Sequence, residues 1–343
     1  MLGFLKALRR AWSLWVVPTV PSVLGRADMV ELIRKQRRPP ILTPSAIPCL
    51  RSLPTVNVTQ GCALGCTYCY TQGYPDYPGP DRVVLYENTA DVVRGELERK
   101  RKMPARVYFS PSSDAFQHVP EVQAVSLQTM ATLLEAGVEV SFLTKGFVSG
   151  RFLDLFAEYA DRVHAQIGVT SLCETLWRTF ELRTAPPALR IETIHALVRL
   201  GCHVTARLDP LIPDVTDTAR SLAPLLEALS EAGVRFASVS YLFLRPAVAR
   251  RVLEQLEGLG VPTLRPDEWE YQRFSEGRGG GRCIGVASRR ERFERIAAIG
   301  AGHGVTISPC RCKNPTLATG TCQIAGSDRL GQDESAGQGL LRL

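Results

Sequence analysis

The stretch Asn57-Val58-Thr59-Gln60-Gly61-Cys62-Ala63-Leu64-Gly65-Cys66-Thr67-Tyr68-Cys69-Tyr70 decides how the rest of the chain is read. Its three cysteines stand at the spacing C-x3-C-x2-C, directly after the apolar, β-branched run 54–59. Three thiolates on one short loop supply three corners of an iron–sulfur cube. Ordinary ferredoxin ligation uses four cysteines, and a structural zinc site also takes four ligands. No fourth cysteine follows at a matching spacing. A cluster on this loop therefore keeps one iron open to a ligand that is not protein, which suits a site that activates a small molecule. A zinc loop, or three unrelated thiols, are the competing readings.

Outward from this loop, apolar runs of strand length alternate with helix-length amphipathic segments. The runs are 55–59, 107–110, 138–144, 164–170, 203–208 and 236–244. Leu222, Leu225, Leu226 and Leu229 form one helical stripe, and Ile191, Ile194 and Val198 another. Gly137, Gly201 and Gly233 stand where helices end and the next strand begins, as helix C-caps do. Six βα units between about 55 and 258 predict parallel strands with helices outside. Six fall short of the eight of a closed barrel, so the expected fold is α/β, a partial, open (βα)6 TIM-type barrel. Residues 1–54 read as an N-terminal helical extension and a basic, proline-bearing connector, 259–325 as a small Cys-rich segment, and 326–343 as a polar tail expected to be disordered.

Composition sets outer limits. The 343 residues are 45% hydrophobic, enough to fill a sizeable core. Lys+Arg number 41 against 34 Asp+Glu, net +7, a lean toward anionic partners such as nucleic acid. Ten cysteines in a chain this long do not suggest a small secreted disulfide scaffold. Reduced thiols point to the cytoplasm. Near the start, Leu5, Leu8, Trp12 and Trp15 share one helical face and Lys6, Arg9 and Arg10 another. Pro18 and Pro21 break the apolar stretch before it can span a bilayer. Such a helix either docks on the domain, the preferred reading, or lies on a membrane surface.

C-x3-C-x2-C with an aromatic residue, Tyr68, before the third cysteine resembles the cluster loop of the radical S-adenosylmethionine (AdoMet) superfamily. The resemblance covers about 200 residues and implies the same partial barrel. It implies a [4Fe–4S] cluster on Cys62, Cys66 and Cys69 whose open iron takes the amino and carboxylate groups of AdoMet. It also implies a 5′-deoxyadenosyl radical that abstracts hydrogen from a substrate, and a reducing partner of flavodoxin or ferredoxin type.

Chemistry in such a fold sits where the strands end. After the second strand, Ser112, Ser113 and Asp114 match the place of the family's small-residue motif against the AdoMet amino group; a helix cap or turn reads the same. After the third, Lys145 would need a partner if buried, and the resemblance offers the AdoMet carboxylate. Gly168 and Thr170 end the fourth strand, where small residues let the ribose approach. On the fifth, Arg207 and Asp209 alternate with apolar neighbours and point to one side; they need each other or a ligand.

Thr144-Lys145-Gly146, the segment Thr179-Phe180-Glu181 with Arg190 and Glu192, and Asp209-Pro210-Leu211-Ile212-Pro213 resemble the branch that contains spore photoproduct lyase. That branch's name enzyme acts on a thymine dimer and uses a cysteine after the second strand. Here Pro111 and Ser112 stand at the matching positions, so the resemblance implies a relative with another reaction. Substrates left open are nucleic acid or a nucleotide-like molecule, and a peptide or small metabolite. A non-catalytic iron–sulfur electron carrier or scaffold is a third reading, which the open iron disfavours.

Near the C-terminus, Cys283, Cys310, Cys312 and Cys322 are four thiols in forty residues. The expectation is a second metal site, zinc or a second iron–sulfur cluster, that fixes this segment across the barrel mouth. Cys49 has no local partner and reads as an ordinary thiol.

Overall fold

The computed structural model describes residues 30–261, 269–273 and 280–317. The first part runs β1 (Glu31–Lys35), β2 (Thr43–Pro44), β3 (Pro54–Val56), β4 (Thr59–Gln60), β5 (Arg82–Tyr86), α1 (Thr89–Glu98), β6 (Arg106–Phe109), α2 (Pro120–Glu135), β7 (Glu139–Thr144) and α3 (Gly150–Glu158). The second runs β8 (Val163–Gly168), α4 (Glu174–Phe180), α5 (Pro187–Arg199), β9 (His203–Leu211), α6 (Ala219–Glu231), β10 (Phe236–Tyr241) and α7 (Pro246–Gly258). The last comprises β11 (Glu270–Arg273), β12 (Gly280–Cys283), α8 (Val286–Gly302) and β13 (Thr306–Pro309).

The centre is an eight-stranded sheet in the order β13-β10-β9-β8-β7-β6-β3-β2. All its pairings are parallel except β2 with β3. Register partners Val107 and Val140, Phe142 and Ala165, and Ile167 and Ala206 are all buried. A parallel sheet covered by helices needs such near-continuous apolar strands. The expected helix α6 packs Leu222, Leu225, Leu226 and Leu229 with no exposed surface. Its N-cap Thr218 accepts from Ser221 N through its side chain. Gly137, Gly201 and Gly233 adopt φ of 78°, 88° and 92°. The amide after each donates back to Leu133, Leu197 and Leu229, closing helices α2, α5 and α6 in the manner of a Schellman motif.

The six expected strands are β3, β6, β7, β8, β9 and β10, and three features depart from the expectation. The run 55–59 is split: β3 belongs to the main sheet, while Thr59 has crossed into a small sheet of order β1-β5-β4. The basic stretch expected to be irregular supplies β1, which runs parallel to β5 with Glu31 opposite Arg82. Its cations face outward, Arg34 onto Glu87 and Glu121, so charge masked a strand pattern.

The third departure is at the C-terminal side, where the βα rhythm continues. Helix α8 returns the chain to β13, which pairs with β10 and extends the sheet. Phe293, Ile296 and Val305 join the main core. The strand Thr306-Ile307-Ser308-Pro309 is too short and polar to announce itself. The N-terminal amphipathic helix, the tail and Cys322 lie outside the described residues. No helix among the described residues is long and apolar enough to cross a membrane.

Candidate active site

Between β4 and β5 the cysteine loop leaves the sheet and is held by groups other than its thiols. Gly61 has φ 81°, and a Cβ there would meet Arg82 O at 2.5 Å. Gly65 has φ 54° and lies against the Arg183 guanidinium. Both positions therefore demand glycine. Ala63 N donates to Gln117 Oε1 (2.6 Å), Thr67 N to Phe180 O (3.0 Å), and Gln72 Nε2 to Cys66 O (2.8 Å). Arg251 Nη2 donates to Thr67 O (3.0 Å) and Arg245 Nη1 to Tyr70 O (3.1 Å). The fully buried Gln117 also donates to Thr59 Oγ1 and Asp114 O, so one side chain joins the loop, β4 and the turn after β6.

Burial pushes the Cys66 thiol up to about 12; Glu181 adds to this and Lys145 opposes it. Cys62 is pushed well above the ordinary thiol range, first by burial, then by Asp114 and the other two cysteines. Cys62 and Cys66 as bare thiols hold their protons at neutral pH, and a metal centre must draw them off. Among the described residues no three His, Cys, Asp or Glu side chains converge on a single ion. A cube is held differently, each thiolate on its own iron. Three thiols on one loop held by its own backbone are compatible with that arrangement.

Beside the loop, Lys145 follows the end of β7. Its ammonium donates to Glu181 Oε1 (2.7 Å), to Asp209 O (2.9 Å) and to the Tyr68 hydroxyl, and stands 4.7 Å from the Tyr68 ring centroid. Glu181 also receives the Tyr68 hydroxyl and pairs with Arg190 at 2.6 Å. Arg190, 1% exposed, spends its other donors on Ala185 O, Gly168 O and Thr184. Burial would raise Glu181, but Arg190 and Lys145, with the bonds from Lys145 and Tyr68, hold it at about 2. Among the described residues, two cations thus share one carboxylate, an excess of one positive charge within this group.

The turn after β6 is built on Asp114. Its carboxylate accepts from Phe116 N (2.8 Å), Lys145 N (2.9 Å) and Thr144 Oγ1 (2.8 and 2.9 Å). Burial nevertheless keeps it above the usual carboxylate range. Asp114 therefore ties β6 to β7, with both oxygens engaged. Ser112 N donates to Asn57 Oδ1 (3.0 Å). The Ser113 hydroxyl is buried with no partner among the described residues. Gly168 faces the Lys145 stem, and a Cβ there would meet Cγ and Cε at 2.8 Å. Glycine at this position thus lets the lysine stem pack against the end of β8. Thr170 is half-buried just beyond β8.

Arg207 and Asp209 pair with each other at 2.8 Å, and Lys313 Nζ reaches both Asp209 oxygens (2.8 and 2.9 Å). Burial would raise Asp209, but Lys313 and Arg207 bring it below its ordinary value. Arg207 Nη2 also donates to Cys310 Sγ (3.3 Å), which lies 3.0 Å from Cys312 Sγ. Cys283 is buried in the main core, whereas Cys310 and Cys312 belong to a satellite cluster with Leu50 and Tyr108.

The radical SAM superfamily model matches residues 56–223, from the cysteine loop through the strand ends just described. An uncharacterized protein of Mycobacterium tuberculosis is 31% identical over 262 residues, covering 69% of this chain and 76% of that protein. The chain belongs to the radical SAM superfamily. An uncharacterized protein of Acidianus two-tailed virus is 24% identical over 226 residues, 57% of this chain and 72% of its own. Among solved structures, a spore photoproduct lyase mutant superposes with a TM-score of 0.62 at 16% identity, covering 80% of this chain and 81% of that one. Another, with bound AdoMet and dinucleoside spore photoproduct, gives 0.61 at 14% identity, with the same coverage. At such identity the likeness is one of fold.

This radical SAM enzyme gathers Cys62, Cys66, Cys69, Ser113, Asp114, Lys145 and Gly168 at one end of the sheet, with Arg207 and Asp209 joined through Lys145. Glu181, Arg190 and Tyr68, quoted only as parts of motifs, prove to be the lysine's electrostatic frame. Gln117 carried no signal at all, since an isolated glutamine in a loop looks the same whether it is solvated or buried.

Proposed function

We propose that this enzyme holds a [4Fe–4S] cluster on Cys62, Cys66 and Cys69 and AdoMet at the strand ends above it. The bound cluster would supply the electron that splits AdoMet into methionine and a 5′-deoxyadenosyl radical, which takes hydrogen from a substrate. The observation that carries this reading is the buried pairing of Lys145 and Arg190 with one carboxylate beside the three-cysteine loop. An unbalanced buried cation is costly, and the AdoMet carboxylate would balance it. Ser113 Oγ, buried and without a partner among the described residues, suits the AdoMet ammonium as an acceptor. In this reading Asp114 holds the turn and Lys145 in place, while Ser112, Gly168, Thr170, Arg207 and Asp209 shape the surrounding wall.

Lys145→Ala is the test. Loss of a charge-assisted contact costs about 1.5–3 kcal/mol, so AdoMet affinity of the reconstituted protein should fall roughly 10- to 100-fold. Gly168→Ala should weaken AdoMet binding in the same direction, because the new methyl displaces the lysine stem. Equilibrium dialysis with labelled AdoMet measures both; wild-type affinity in both variants would make the lysine a structural group only.

For the substrate we favour nucleic acid or a nucleotide-like molecule. The net charge of +7 supports this, as does a fold neighbour that holds a dinucleoside. Pro111 and Ser112 argue for a reaction other than that neighbour's. Modification of a peptide or small metabolite is the alternative outcome of a substrate screen. We further read the parallel sheet as a partial, open barrel that starts with the six units of residues 55–258 and is extended by β13, in an enzyme working in the cytoplasm with a flavodoxin- or ferredoxin-type reductant.

A further inference from the structure

We propose that Cys310 and Cys312 are a redox-active dithiol that donates a hydrogen atom to a radical formed at the strand ends. This rests on the radical reading above. Four observations place the pair. The two sulfurs are 3.0 Å apart, near enough to share a proton and to bond on oxidation. Cys310 is fully buried and accepts from Arg207, whose guanidinium shares Asp209 with Lys313. Arg207 and Lys313 both reach the Asp209 beside Cys310, a cationic surrounding that suits a thiolate. Cys312 is half-buried, and Tyr70 lies within electrostatic reach of both Cys312 and Cys69. Finally, the Lys145 ammonium donates to Asp209 O, so this group and the cysteine-loop group form one network.

The chemistry balances on this pair. A carbon radical takes the hydrogen atom of the Cys312 thiol; the S–H bond breaks, a C–H bond forms, and a thiyl radical remains. The thiyl joins the Cys310 thiolate as a disulfide radical anion. Its surplus electron passes to the oxidised form of a one-electron carrier protein, leaving a disulfide. A dithiol reductant then restores one thiol and one thiolate, becoming a disulfide itself and releasing one proton. The same sulfurs were expected, with Cys283 and Cys322, to hold a metal. A metal on these sulfurs is the competing outcome of the test below.

A substrate-free experiment decides. Reconstituted full-length enzyme is given AdoMet and dithionite in D2O, and the 5′-deoxyadenosine is analysed by mass spectrometry. A radical quenched by an exchanged thiol yields 5′-deoxyadenosine with one deuterium. Cys312→Ser should lower that deuterated product at least tenfold, while Cys202→Ser, just before β9 begins at the other end of the sheet, leaves it unchanged. Equal deuteration in wild type and Cys312→Ser would overturn the proposal, as would loss of a second metal in Cys312→Ser or Cys310→Ser. No 5′-deoxyadenosine at all from wild type would overturn the radical reading, and the dithiol role with it. Should the serine variants fail to fold, wild-type protein is treated with diamide and then dithiothreitol, with thiols mapped by alkylation. A reversible Cys310–Cys312 disulfide supports the pair; two thiols that stay fully alkylated refute it.

Discussion

Alanine at Cys62, Cys66 and Cys69 together should remove about four irons and about four sulfides per chain from reconstituted protein. The expected loss is this complete because the nearby carboxylates are already engaged: Asp114 accepts from Phe116 N, Lys145 N and Thr144 Oγ1, and Glu181 is held by Lys145 and Arg190. The fold should survive, since backbone bonds and Gln117 hold the loop. Far-UV circular dichroism should match wild type while iron and sulfide assays fall. Assembly should also release protons, because burial keeps Cys62 and Cys66 protonated in the bare protein. A variant that keeps its iron would place the cluster elsewhere.

The second large effect is expected at Glu181. Glu181→Gln keeps the shape and removes the carboxylate that Lys145 and Arg190 share. Breaking a buried pair by removing one partner typically costs about 3–5 kcal/mol, and Arg190, 1% exposed, cannot reach water. Denaturant unfolding should show a loss of that order at pH 7. The pH dependence has a definite sign. Glu181 is depressed from 4.5 to about 2. Its contribution is thus full above about pH 4.5 and disappears as pH falls through about 2. The gap between wild type and Glu181→Gln should therefore narrow as pH drops below 4.5. A gap that is constant with pH would mean the carboxylate is not the stabilising species.

The contrast between Glu181 and the cysteine loop shows what a sequence discloses. The loop was legible because its ligands are close in the chain and their spacing is itself the chemistry. The sheet was legible because burial on both faces writes itself as apolar runs, and Gly137, Gly201 and Gly233 mark where helices must turn. Lys145 could be flagged as a buried cation in need of a partner, but its partner lies 36 residues on. Gln117 and Tyr68 act through contacts that only folding creates. The ambiguity at Arg207 and Asp209 resolved into an ion pair because Lys313, 104 residues away, came to share the carboxylate. Strands β1 and β13 escaped notice for different reasons, one masked by surface charge and the other short and half polar.

The central claim is that the three cysteines and the Lys145 frame form a site for reductive cleavage of AdoMet. It is tested most directly by incubating anaerobically reconstituted protein with AdoMet and dithionite and quantifying methionine and 5′-deoxyadenosine by liquid chromatography–mass spectrometry. The account predicts equal amounts of the two, formed steadily by wild type and absent from the Cys62, Cys66 and Cys69 alanine variant. Wild-type protein that carries its iron, binds AdoMet and still yields no 5′-deoxyadenosine would contradict it.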